Sequence, residues 1–151
     1  MKKIKENATL KKDFNRIILP VDGSDGSTRA VKKALHLAKE TGVDVTALYV
    51  IEYPILPVTE YGYMYTDILD VIKKTGNDIL DRVKKQGSEI GVNVKTKLVE
   101  GIPDDQIIRV AKKDDLIIMG CKGRTALSRI LVGSVCEKVM HHSKSPVMMI
   151  R

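Results

Sequence analysis

The stretch Arg16-Ile17-Ile18-Leu19-Pro20-Val21-Asp22-Gly23-Ser24-Asp25-Gly26-Ser27 decides the fold. Its first half is a continuous apolar run, the pattern of a strand buried on both faces. Its second half is turn chemistry, with Gly, Asp and Ser in close succession. Immediately afterwards Ala30, Val31, Ala34, Leu35 and Ala38 recur on one face of a helix. Gly42 stands where a helix stops. Strand, tight turn and covering helix together make the opening unit of an α/β domain.

The same alternation continues downstream. Val45 to Ile51 predicts a second strand. Residues 52–65 (EYPILPVTEYGYMY) hold two prolines and four tyrosines without a clear period, and predict a long loop. Helical spacing returns at Ile68, Leu69, Ile72, Ile79, Leu80, Val83 and Ile90, with Gly76 inside the pattern as the one residue that speaks against an unbroken helix and Gly91 as the end. Val92, Val94, Thr96 and Leu98 alternate with Asn93, Lys95 and Lys97, a strand with one wet face. Gly101-Ile102-Pro103-Asp104-Asp105 opens a short helix whose inward residues are Ile107, Ile108 and Ala111. Leu116 to Met119 is an apolar strand. A glycine-punctuated loop, a helix from about 134 to 143 and a strand over 146–150 complete the chain. The order βαβαβαβαβ calls for a parallel sheet covered on both faces. Strands one, two and four read as central and the lysine-bearing third as an edge. The uncharged last strand, Pro146-Val147-Met148-Met149-Ile150, is an aggregation hazard at an edge unless paired, and a second copy of the chain is the natural partner.

Composition narrows the class. At 151 residues and 43% apolar, the chain suits one globular domain and excludes a disordered one. No apolar run is long enough for a membrane span. The N-terminus has lysines but no apolar segment of a secretory signal. Two cysteines, Cys121 and Cys136, cannot make a disulfide scaffold, so a cytoplasmic location is expected. The net charge of +7 raises a nucleic-acid partner. Residues 1–15 carry +3 of it, in a lysine-rich arm (1–13) that reads as a flexible, solvated terminus ahead of a domain at 14–151. No helix-turn-helix, RNA-recognition or zinc-finger spacing accompanies the charge, so specific nucleic-acid binding is not expected.

In open α/β sheets ligands bind beyond the carboxyl ends of strands, where the winding reverses. Here that point falls between strands one and four. Strand four runs into Met119-Gly120-Cys121-Lys122-Gly123-Arg124, and then to Gly133-Ser134-Val135 at a helix start. Gly120 and Gly123 allow sharp turns and close backbone approach. The helix beginning at Gly133-Ser134 offers unpaired N–H groups to an anion, with Ser134 placed to cap it. Lys122, Arg124 and Arg129 add three cations with no acid between Gly120 and Ser134. On the residues alone, phosphate binding competes with plain turn chemistry. Neither G-x-x-x-x-G-K-[ST] nor G-x-G-x-x-G after the first strand is present, which excludes the common phosphate-loop and dinucleotide layouts.

Gly120-x2-Gly123-x9-Gly133-Ser134 resembles the G-2x-G-9x-G-S signature of the ATP-binding branch of the universal stress protein family. The resemblance runs over 14–151 and includes Ile18 to Ser24, Ala47 to Val50 and the Ser145-Pro146-Val147 start of the last strand. It implies a three-layer α/β/α fold, a five-stranded parallel sheet in the order 3-2-1-4-5, and a homodimer through strand 146–150. It implies adenosine contacts at Asp22 and Val50 with a pocket wall of Pro20, Val21 and Met119. It also implies a ribose and phosphate cradle of Gly120, Gly123, Arg124, Gly133, Ser134 and Val135. The chain departs from many relatives at Cys121-Lys122, where they carry Ser-His or Ser-Arg.

Several residues keep more than one reading. Asp22 is a nucleoside contact, a ligand to Mg²⁺ on the phosphates, or an ordinary turn residue. Cys121 is a redox-sensitive thiol or a plain loop residue. Cys136 with His141 and His142 lacks the second cysteine pair of a zinc site, and His36 beside the first helix's apolar face reads as structural. Tyr53, Tyr61, Tyr63 and Tyr65 form a lid, a partner surface or a cover for the core rim. No Ser-His-Asp set, carboxylate pair or H-E-x-x-H can be assembled, so a nucleotide-dependent regulatory switch with little or no turnover is expected instead of an enzyme. The alternative is a slow ATPase or nucleotidyl-transfer enzyme of the same superfamily; VDGSDGS fits poorly the S-G-G-x-D-S loop such an enzyme needs.

Overall fold

A computed structural model describes residues 13–53, 62–121 and 132–151. Nine elements follow one another: β1 (Arg16–Pro20), α1 (Asp25–Thr41), β2 (Asp44–Ile51), α2 (Gly62–Glu89), β3 (Val94–Glu100), α3 (Pro103–Val110), β4 (Asp115–Gly120), α4 (Ser134–His142) and β5 (Val147–Ile150). The strands form one parallel sheet in the order β3-β2-β1-β4-β5. This is the implied α/β architecture, with the expected strands at the centre and at the edges. Of the N-terminal arm, residues 1–12 lie outside the described residues.

Each face of the sheet carries two helices. Ile17, Leu19, Val45, Ala47, Tyr49 and Ile118 pack with α1 and α2 in the larger core, while Ile18, Leu48, Ile117 and Met119 pack with Ile107 of α3 and Cys136 and Val139 of α4. Alternate residues of β1, β2 and β4 therefore feed both cores, which is why their sequences are apolar throughout. On the edge strand β3, Val94 is buried while Lys95, Thr96 and Lys97 are exposed. Lys95 pairs with Asp44 at 3.4 Å. Asp104 of α3 holds Lys138 of α4 at 3.5 Å.

α1 buries the predicted face, Ala30, Val31, Ala34, Leu35 and Ala38, and ends at Gly42 (φ 65°), whose N–H donates to the Ala38 carbonyl at 2.8 Å. His36 is exposed, so it takes no part in the core that its neighbours build. One expectation about α2 needs correction, and one open point is answered. The predicted loop over 52–65 is too long, because the helix begins at Gly62; no proline follows Pro57 to prevent it. Residues 54–61 of that loop, with Tyr61, lie outside the described residues. Gly76 does not interrupt the helix either. It faces the sheet, where a Cβ would stand 2.7 Å from Tyr49 Cδ1 and 2.8 Å from Leu98 Cδ1. One face of α2 thus lies almost directly on β2 and β3.

The amino ends of β1 and β4 are clamped together. Arg16 donates from Nε and a terminal nitrogen to the two Asp115 oxygens (3.2 and 2.5 Å), and Lys112 N–H donates to the same carboxylate at 2.8 Å. Ser145 Oγ donates to the Lys112 carbonyl at 2.7 Å, tying in the approach to β5. Burial pushes the Asp115 carboxyl up, but the Arg16 and Lys112 hydrogen bonds and their charges outweigh it and hold the group below its ordinary 3.8.

Candidate functional site

At the opposite, carboxyl end the same two strands part. β1 pairs with β4 only over Arg16↔Asp115, Ile17↔Leu116 and Ile18↔Ile117, whereas its pairing with β2 runs on to Pro20↔Leu48. Val21 N–H continues that second ladder to the Leu48 carbonyl at 2.9 Å. Successive amides of a strand point to opposite neighbours, so Pro20 occupies a position whose amide would face β4. Proline has none to offer. β4 meanwhile follows β5 through Gly120↔Ile150, and Cys121 N–H donates to the Ile150 carbonyl at 2.9 Å. A crevice opens between them, at the reversal of winding where α/β sheets take their ligands.

Two helix starts converge on the end of β4. A Cβ on Gly120 would lie 2.5 Å from Gly26 C, 2.8 Å from Gly26 O and 2.9 Å from Ser27 N, all backbone of the first turn of α1. Only glycine permits that approach. From the other face, Gly133 N–H donates to the Cys121 carbonyl at 2.7 Å and brings the start of α4 to the same strand end. Each helix contributes the positive end of its dipole.

The two starts are finished differently. α1 is capped by Ser24, whose Oγ accepts Ser27 N–H at 3.1 Å. Asp22 Oδ1 accepts Ser24 N–H at 2.9 Å, and Asp22 N–H reaches Ser27 Oγ at 3.3 Å. Gly23 between them has φ 80°. At α4 the N-cap is Gly133, with no side-chain cap hydrogen bond. This corrects the expectation that Ser134 caps the helix: it is the first helical residue, past the position from which a hydroxyl reaches back to the following amides. The first amides of α4 therefore retain their capacity for an anion.

The other expected contacts distribute around this centre. Val21 is buried against the α1 core, Met119 lies 5% exposed in the α4 core, and Pro20, Asp22, Val50, Gly120, Gly133 and Val135 are half-buried. Ser134 is exposed. Val50 belongs to β2, the strand beside β1, at the same end of the sheet. Gly123 and Arg124, with Lys122 and Arg129, lie outside the described residues. Sequence reasoning missed Ser24, Ser27 and Gly26; the Ser-x-x-Ser spacing before a helical run was the available signal for the cap. It also missed a polar cluster beyond β2 and β3, where Tyr53 donates to Glu100 and Lys73 pairs with Glu100 at 3.3 Å. The Tyr53 hydrogen bond, then Lys73, hold the Glu100 carboxyl below its ordinary range.

The universal stress protein family model matches residues 13–151. The chain belongs to the universal stress protein family. It is 39% identical to universal stress protein MJ0531 of Methanocaldococcus jannaschii over 141 residues, 91% of this chain and 82% of that one. Universal stress protein UspA from Lactobacillus plantarum superposes with a TM-score of 0.83 at 28% identity, covering 91% of this chain and 98% of that one. The universal stress protein from Archaeoglobus fulgidus, solved in complex with dAMP, shares the fold at 21% identity and a TM-score of 0.61, over 91% and 98% of the two chains. Among the described residues, no universal stress protein helix here is long and apolar enough to cross a membrane.

Proposed function

We propose that this universal stress protein binds an adenine nucleotide, ATP by preference, in the crevice between β1 and β4, and acts as an occupancy switch with little or no turnover. The observation that carries the reading is the convergence of two helix N-termini on the end of β4, one of them lacking a side-chain cap. Phosphate oxygens would accept from the amides of Ser134 and Val135. Gly120 supports the fit, because any side chain there would displace the α1 start. The glycine signature adds Gly123 and Arg124 to the cradle, and Pro20, Val21, Val50 and Met119 supply apolar walls near the nucleoside. The dAMP-bound protein from Archaeoglobus fulgidus supports this as a fold that accommodates an adenine nucleotide.

Mg²⁺ suits the phosphates and oxygen ligands. Among the described residues no group of three metal-ligating side chains occurs. The ion would therefore arrive on the nucleotide, with Asp22 contributing a carboxylate oxygen. Asp22 Oδ1 already accepts the Ser24 amide, the posture of a turn former and not of a base poised on water. That posture supports binding without efficient turnover.

Self-association through β5 belongs to the same proposal. Met148 and Met149 remain 40% and 39% exposed on an uncharged edge strand, which a second copy would cover.

Calorimetric titration with ATP and Mg²⁺ tests the central claim on wild type and Ser134→Glu. The added carboxylate suits the first turn of α4 but occupies the anion's place. Wild type should bind and the variant should lose binding while its thermal melt is retained. A wild type that takes up no adenine nucleotide overturns the reading, as does sustained multiple-turnover phosphate release for the switch.

A further inference from the structure

The two cysteine side chains have no part in the nucleotide site as described. Cys121 follows β4 directly and Cys136 sits in the first turn of α4; both are free. They share one buried cluster on the α3–α4 side of the sheet, at 6% and 2% exposure. The backbone binds their neighbourhoods together, since the Cys121 carbonyl accepts from Gly133, one helical turn before Cys136. Burial pushes the Cys136 thiol up to about 11, and the charge of Cys121 pushes in the same direction.

We propose that Cys121 and Cys136 form a thiol pair that closes to an intramolecular disulfide by exchange with a low-molecular-weight disulfide. The Cys121 thiolate attacks one sulfur of RSSR, making a Cys121–SR mixed disulfide and expelling RS⁻. Cys136 then gives up its proton and attacks the Cys121 sulfur, making the Cys121–Cys136 bond and expelling the second RS⁻. Two protein thiols are oxidised, one small disulfide is reduced, and the two protons end on the departing thiols. The order follows from the surroundings: Cys136 is the more deeply buried and is held protonated, so Cys121 is the entry point and Cys136 the resolving thiol.

The bond would join the end of β4 to α4 across residues 122–135, which include Gly123, Arg124, Gly133 and Ser134. Closure therefore ties the α4 start, with Gly133 and Ser134, to the end of β4, a consequence that rests on the nucleotide reading above. It makes the position of that helix start respond to the thiol–disulfide balance.

The test uses the full reduced chain, incubated natively with oxidised glutathione, then unfolded with an alkylating agent and weighed. The expected product has lost two hydrogens, carries no glutathione and takes up no alkyl group. Closure should accelerate about tenfold per pH unit from about pH 7 to about pH 9, because Cys136 thiolate limits the second step. Cys136→Ser should halt at a glutathione adduct on Cys121, and Cys121→Ser should stay unmodified; melts of the reduced variants show that they fold. Wild type that keeps two alkylatable thiols, or stops at a stable adduct, overturns the proposal whatever the variants do. ATP titration of the reduced and closed forms should differ about tenfold in affinity, or about 1.4 kcal/mol, and equal affinities overturn the coupling. A reduced protein that binds no ATP overturns the nucleotide reading while leaving thiol closure to stand on the mass measurement.

Discussion

Gly120→Ala places one methyl group where β4 meets α1. Its carbon would fall 2.5, 2.8 and 2.9 Å from Gly26 C, Gly26 O and Ser27 N. Ordinary contact between such atoms is about 3.5–4.0 Å, so α1 and β4 must separate by roughly an ångström. No flexible side-chain end can give way, because all three atoms are backbone. Overpacking of this kind costs about 1–3 kcal/mol, partly offset by the roughly 0.4–1 kcal/mol that Gly→Ala gains by restricting the unfolded chain. For a domain of this size each kcal/mol lowers the thermal midpoint by about 2–4 °C. Nucleotide affinity should suffer beyond the stability loss, since the displaced turn is one of the two positive helix ends; we expect a weakening of about tenfold, or about 1.4 kcal/mol. Urea unfolding and ATP titration of the same preparations measure both quantities. A variant with the wild-type midpoint and wild-type affinity would refute the close-approach argument.

Three further outcomes follow from the packing. Asp115→Asn removes the charge that Arg16 faces and should cost about 1–3 kcal/mol near neutral pH. Because the folded carboxyl sits below its ordinary value, its contribution is complete above about pH 4 and is lost as pH falls through the lowered value; the gap between wild type and variant in urea midpoint should therefore close in acid, and a gap unchanged down to about pH 3 would count against the clamp. Thr46 is 5% exposed on β2, and its Oγ1 has no hydrogen-bond partner among the described residues, so Thr46→Val should stabilise by about 1 kcal/mol; a lowered melting temperature contradicts this. Gly76→Ala should destabilise although alanine is the better helix former by about 1 kcal/mol, because its methyl meets the Tyr49 ring; a rise in stability on thermal melting would show that α2 has room to lift.

Much of this was legible in the sequence because periodicity reports burial. The runs in β1, β2 and β4 are apolar on both faces since each faces a helix pair, and the lysines of β3 mark an edge. Gly42 was legible because a left-handed cap has few substitutes. Gly76 was ambiguous for the opposite reason: glycine weakens a helical pattern in sequence whether it bends the helix or lets it lie flat on a sheet, and only the Tyr49 and Leu98 positions separate the two. Ser134 was placed one position out, because the boundary depends on where the backbone leaves the helical region and Gly133 does so without any side-chain signal. The crevice was legible as the reversal of winding between strands one and four; the part that Pro20 plays in parting them needed the register. The Gly26–Gly120 contact was not, since residues so far apart in the chain meet only through topology.

The short seam between β1 and β4 has a consequence for the protein's mechanics. Among the described residues, three register pairs, the Asn15 N–H to Asp114 carbonyl hydrogen bond and the Arg16–Asp115 clamp join the β3-β2-β1 block to the β4-β5 block along the sheet. A break there splits the sheet with fewer lost backbone bonds than a break at β1–β2, where five pairs run in register. The two blocks are natural units of sub-global opening, and amide exchange in β5 and the distal half of β4 should run ahead of that in β2. A nucleotide in the crevice would grip both blocks at the end the clamp does not reach. Binding would then slow that opening more than it slows the fraying of any single element, turning ligand concentration into mechanical cohesion of the sheet.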